Sequence, residues 1–133
     1  PVMADDFDGY QEICKSTTIP IVTGENNFTH YDLLPFMKSK KIHILQPDIM
    51  RGGYTNLLHT CNLAKQYGIK VAPHMFPELS IHLVAAIENP SWLEYMGWYD
   101  HLWKEPLLPE NGTLKPTNRP GHGMDFKSEV CVF

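Results

Sequence analysis

The sequence predicts an α/β fold built on parallel strands. Short β-branched runs alternate with segments of helical periodicity along most of the chain. The connections between them are short, and strands that alternate with helices in this way imply a parallel sheet with right-handed crossovers. The first three runs each stop at a glycine or proline followed by an acidic residue or a histidine.

The first helix is expected over Asp5–Lys15, where Phe7, Tyr10, Ile13 and Cys14 share a face and Asp5 and Asp6 suit the first turn. Ile19–Thr23 reads as a buried strand ended by Gly24. Thr29 is a plausible N-cap for a second helix over Tyr31–Lys40, with Leu33, Leu34, Phe36 and Met37 periodic and Pro35 placed in the opening turn. Lys38, Lys40 and Lys41 then complement the dipole at its C-terminus. Ile42–Gln46 is the second strand, closed by Pro47-Asp48. Thr55 is read as the cap of a third helix that ends at Tyr67-Gly68. Ile69–Ala72, stopping at Pro73-His74, is the third strand. Glu78–Glu88 is a fourth helix and Ser91–Tyr95 a fourth strand.

Four such units fill roughly 95 residues, about half of what an eightfold barrel of roughly 250 residues needs. The pattern fits half of a TIM-type (β/α)8 barrel or a small open sheet of the flavodoxin kind. A phosphate-cradling glycine loop is missing after the first strand, where Gly24-Glu25-Asn26-Asn27 stands. Beyond Met96 the chain becomes loop-rich, with Pro106, Pro109, Pro116 and Pro120, and Asn111-Gly112 signals a hairpin.

Composition narrows the function. A formal charge of −4 with scattered Lys and Arg argues against a nucleic-acid partner. No apolar run is long enough to span a membrane. Cys14, Cys61 and Cys131 form no C-x-x-C pair and read as reduced thiols of a cytoplasmic protein. The start at Pro1 suggests a fragment.

Polar residues gather at the strand ends: Glu25 after the first strand, Asp48 after the second, His74 after the third, Glu94 near the end of the fourth. Singly, each has an ordinary explanation as a cap, an Asx turn or a loop residue. Together they fall on the carboxyl face of a parallel sheet, where active sites of such folds are built. The apolar neighbours Trp92, Leu93 and Tyr95 suggest that Glu94 is buried. His30, His43, His59, His82, His101 and His122 read as structural or surface residues.

Gly24-Glu25-Asn26, Gln46-Pro47-Asp48 with Arg51-Gly52-Gly53, Pro73-His74 and Trp92-Leu93-Glu94 resemble the last four strand ends of the enolase superfamily, mandelate racemase subgroup. The spacings agree, at 23 residues from Glu25 to Asp48, 26 to His74 and 20 to Glu94. The resemblance implies that residues 1–104 are the C-terminal half of a TIM-type barrel. Residues 105–133 would be a return segment packed on an N-terminal capping domain.

It also implies roles. Glu25 would be a carboxylate ligand of Mg²⁺. His74 would be the general acid or base, with Asp48 orienting its ring. Glu94 would hydrogen-bond the substrate carboxylate or the enediolate, and Arg51 would contact substrate. The loop before the paired glycines is one residue shorter than the family's usual one, which shifts the aim of Arg51.

The implied reaction is Mg²⁺-dependent abstraction of the proton α to a carboxylate, followed by dehydration of an acid sugar such as an aldarate or aldonate. Racemisation or epimerisation of a 2-hydroxy acid by the same dyad is the alternative, and a non-catalytic fragment or scaffold a further one. The chain alone is expected to be inactive, because the remaining metal ligands lie on strands it does not contain. The full-length protein is expected to be a homo-oligomer.

Overall fold

The computed structural model describes residues 2–130, so Cys131 lies outside the described residues. In order along the chain come α1 (Phe7–Ser16), β1 (Val22–Thr23), α2 (His30–Ser39), β2 (Ile44–Leu45), α3 (Ile49–Gln66), β3 (Lys70–Val71) and α4 (Pro77–Ala86). Two 3₁₀ turns follow, at Gly97–Leu102 and Ser128–Val130. The strands form one parallel sheet in the order β1-β2-β3, with Thr23 opposite Leu45 and Leu45 opposite Val71.

Local chemistry sets most boundaries. Asp6 caps α1 by accepting from the Gly9 amide at 2.9 Å. Asp32 reaches back from the first turn of α2 to accept from the Thr29 amide (2.9 Å) and the Thr29 hydroxyl (3.1 Å), so Thr29 is the cap the sequence suggested. Gly68 takes a left-handed φ of 72° after α3, and the Ile69 amide bonds back to the Ala64 carbonyl at 3.0 Å.

Several expectations are corrected. The strand ladders are two residues long, not four or five. The fourth strand is absent as a ladder: a single parallel bridge joins Val71 to Pro90, and Ser91 donates to the Val71 carbonyl at 2.8 Å. The next bond of the ladder would run from the amide of residue 73 to the Ser91 carbonyl, and Pro73 has no N–H to donate. The third helix starts at Ile49 rather than beyond Thr55. Its cap is Asp48, and it is broken at Gly53, whose φ of 72° and ψ of 169° only glycine adopts without strain. Pro35 sits six positions into α2, not in its opening turn. It faces solvent, so the Tyr31 carbonyl that loses its helical partner is within reach of water.

The main core lies between the sheet and α1, α2 and α3. It contains Leu33, Phe36, Met37, Leu45, Leu57, Cys61, Ala64 and Val71, all essentially buried. Phe7 and Tyr10 of α1 meet Phe36 edge-on at 5.4 and 5.5 Å, which docks α1 on α2. A second cluster of Ile81, Trp103, Leu107 and Met124 fastens the C-terminal segment to α4. There the Trp103 indole donates to the buried Glu78 carboxylate at 3.2 Å. Asn111 and Gly112 both have positive φ between the paired residues Glu110 and Thr113, which is the expected hairpin.

Cys14 and Cys61 are free. Burial pushes the Cys61 thiol up to about 12, which leaves almost no thiolate at about pH 8. A thiol reagent is therefore expected to label Cys61 only as fast as the chain opens. Mass-spectrometric labelling of Cys61 as rapid as in urea would contradict the buried position.

Candidate active site

The sheet register builds the site. Leu45 and Val71 are paired, and the next parallel contact of the same two segments is Asp48 with His74, which keeps the same offset of 26 residues. The His74 amide completes it by donating to the Pro47 carbonyl at 3.1 Å. The two side chains thus emerge side by side at the carboxyl end of the sheet. His74 Nδ1 and Asp48 Oδ2 lie 2.9 Å apart. Asp48 is 8% exposed, and its other oxygen, Oδ1, accepts from the Met50 amide at 2.7 Å as the N-cap of α3. Both carboxylate oxygens are engaged, so the group is fixed in position and the imidazole is held by one nitrogen.

The second imidazole nitrogen faces two more carboxylates. Glu25 Oε2 is 3.4 Å from His74 Nε2, and Glu94 Oε2 is 3.9 Å from it. Glu25 is delivered by a sharp exit from β1. Gly24 has φ 133°, and a Cβ there would come within 3.1 Å of the Gln46 backbone nitrogen, so glycine is required where β1 passes β2. Glu94 is tied to the His74 loop, because its Oε2 also accepts from the Met75 amide at 2.9 Å. It is half-buried rather than buried, and Trp92 beside it is 57% exposed, so apolar neighbours in sequence did not translate into burial.

The four residues singled out in the sequence therefore meet around one imidazole. Arg51 stays at the rim. It donates from Nη2 to the Asn26 side chain at 3.2 Å, and its guanidinium lies 5.2 Å from the centre of the Phe28 ring. The other histidines have local partners: His30 Nδ1 lies 3.0 Å from Asn56, His43 accepts from the Ile21 amide, and His82 reaches the His122 carbonyl. Among the described residues, no group of three or more His, Cys, Asp and Glu side chains is arranged to enclose a metal ion. Glu25, half-exposed and acceptor-only when ionised, fits one position of a hard-cation shell and not a whole one.

Sequence reading missed the capping role of Asp48 and the Glu94–Met75 bond. Asp directly before Ile49 is a helix-start signal, but Gly52-Gly53 four residues on masks it. Nothing in the sequence marks the Met75 amide.

Known proteins resemble this chain in sequence and fold. The chain is 33% identical over 133 residues to the L-talarate/galactarate dehydratase of Salmonella typhimurium, covering 98% of this chain and 33% of that one. It is 28% identical over 131 residues to the 3,6-anhydro-α-L-galactonate cycloisomerase of Streptomyces coelicolor, covering 96% of this chain and 36% of the other. The crystal structure of an L-talarate dehydratase from a Polaromonas species, complexed with Mg and L-glucarate, superimposes with a TM-score of 0.89 at 30% identity. That superposition covers 98% of this chain and 37% of the other. The chain spans about a third of the length of the curated relatives it matches. The family model for enolase C-terminal domain-like proteins matches residues 1–130. With that match over nearly its whole length and sugar-acid enzymes among its relatives, the chain belongs to the enolase C-terminal domain-like family, in the mandelate racemase subgroup of the enolase superfamily.

Proposed function

We propose that this chain supplies the proton-transfer side of a Mg²⁺-dependent active site that dehydrates an acid sugar, an aldarate or aldonate. The observation behind this reading is the imidazole of His74, with Nδ1 on Asp48 at 2.9 Å and Nε2 turned toward Glu25 and Glu94. A histidine held by one nitrogen presents the other for proton transfer. In the proposed reaction a base removes the proton α to the carboxylate, and the electron pair moves into the carboxylate group. The β-hydroxyl then leaves as water with a proton from His74, and the resulting enol tautomerises to a 2-keto-3-deoxy acid. Asp48 keeps the ring oriented through Nδ1. Glu94, with a proton on Oε1, would donate to the substrate carboxylate while Oε2 stays on the Met75 amide, and Arg51 at the rim offers a second anchor.

Mg²⁺, when bound, supplies Lewis-acid stabilisation of the negative charge that develops on the carboxylate. Glu25 would hold it through one carboxylate oxygen, with the other ligands coming from outside these residues. In the same reading residues 1–104 are the C-terminal half of a (β/α)8 barrel and residues 105–133 a return segment. The superposition on about a third of full-length relatives supports this.

The second reading is racemisation or epimerisation of a 2-hydroxy acid, in which the same dyad moves a proton without loss of water. One experiment separates the two. The full-length protein is incubated with Mg²⁺ and a panel of aldarates and aldonates in D₂O and followed by proton NMR. Dehydration yields a 2-keto-3-deoxy product. Deuterium entering the α position with no keto product supports isomerisation instead. No change in any sugar acid would refute both.

A further inference from the structure

We propose that Tyr99 is a positioning residue for His74, acting through a strained turn that directly follows it. The proposal rests on His74 being the proton-transfer residue. Met75 and Phe76, the two residues after His74, both adopt left-handed backbone conformations, with φ of 48° and 45°. Neither is glycine, asparagine or aspartate, and side chains as large as these rarely occupy that region. Two consecutive residues there persist only when the surroundings hold them.

Two contacts do so, and both come from the segment after β3's bridge to Pro90. The Glu94 carboxylate accepts from the Met75 amide at 2.9 Å. The Tyr99 ring stacks on the Phe76 ring, centroids 5.5 Å apart and planes 13° from parallel. Tyr99 is itself set by a closed turn, since the Tyr95 hydroxyl donates to Asp100 at 2.7 Å across the 3₁₀ segment Gly97–Leu102. Phe76 also packs against the main core, but the packing around its ring is incomplete. A cavity of about 250 Å³ lies there, lined by Met50, Leu79, Leu102 and Trp103 besides the two stacked rings. Tyr99 therefore holds Phe76 while Glu94 holds Met75. The His74 amide, directly before this turn, is held on the Pro47 carbonyl. Release of the stack lets the turn relax toward ordinary φ and swings the imidazole off Asp48.

The test uses the full-length protein with ¹⁵N-labelled histidine. Tyr99→Leu keeps apolar volume but removes the stack, and Tyr99→Phe keeps the stack. Tyr99→Leu is expected to lower kcat about tenfold with KM near the wild-type value, because misaim costs turnover more than binding. The His74 ring signal should change from a single Nδ1–H tautomer to an averaged mixture. Tyr99→Phe should match wild type in both. Circular dichroism reports whether Tyr99→Leu is folded; if it is not, Phe76→Leu removes the same stack from the other ring. Unchanged kcat and tautomer in the folded variant would overturn the proposal. So would a fall in kcat with the His74 signal unmoved, which would place Tyr99 on the substrate instead. Should the wild-type protein dehydrate no sugar acid, the proposed reaction fails while the tautomer measurement still decides the role of Tyr99.

Discussion

His74→Asn is expected to lower the rate of water loss by a factor on the order of 10²–10⁴, the usual contribution of a positioned general acid or base. The fold should survive. The structural duty of residue 74 is carried by its amide, which donates to the Pro47 carbonyl, and its side chain is partly open to solvent. Loss of the ring removes one partner of Asp48 Oδ2, but Oδ1 keeps the Met50 amide, so the stability cost should be about 1 kcal/mol. The variant also separates two duties that turnover alone confounds. If His74 protonates the departing β-hydroxyl, His74→Asn stops formation of the keto product yet still exchanges the α proton in D₂O. If His74 removes the α proton, exchange stops as well. A variant within tenfold of wild type would remove His74 from the chemistry altogether.

The site was more legible in the sequence than the elements that carry it. Gly24-Glu25, Pro47-Asp48 and Pro73-His74 each combine a residue that ends a strand with one that does chemistry, so strand ends and candidate groups were found together. Their spacing also carried the pairing, because the 26 residues from Asp48 to His74 equal the Leu45–Val71 offset of the ladder. The elements themselves were less visible. Apolar runs of four or five residues gave two-residue ladders, in the central strand β2 as much as at the edge. Trp92-Leu93-Glu94-Tyr95 resembled a strand by composition, but Pro73 lacks the amide that would carry the pairing on from Ser91. Gly52-Gly53 read as a break before a helix; only Gly53 is the break, and the helix had already begun under the cap of Asp48. The turn at Met75 and Phe76 could not be read at all. Nothing in either residue favours positive φ, so the cause is tertiary, in Glu94 and Tyr99.

Asp48 divides its duties between its two oxygens, and two substitutions are expected to separate them. Oδ1 caps α3 through the Met50 amide at 2.7 Å, and Oδ2 holds His74 Nδ1 at 2.9 Å. Asparagine retains one acceptor oxygen, which can stay on the Met50 amide, and asparagine and aspartate are near-equal caps. It places an NH₂ donor where Oδ2 stood, and that donor requires His74 to accept at Nδ1 and carry its proton on Nε2. The ring is then in the wrong tautomer and has lost the carboxylate charge beside it. Asp48→Asn should therefore unfold in urea within about 1 kcal/mol of wild type while losing turnover on the order of 10²–10⁴-fold. Asp48→Ala loses both oxygens. It should suffer a similar loss of turnover and a further loss of about 0.5–2 kcal/mol, the usual cost of removing a cap. Urea unfolding of the two variants, with their steady-state kinetics, makes the comparison. Equal destabilisation of Asn and Ala would mean that the cap contributes nothing. Full activity of Asp48→Asn would mean that the carboxylate charge beside His74 has no part in the reaction.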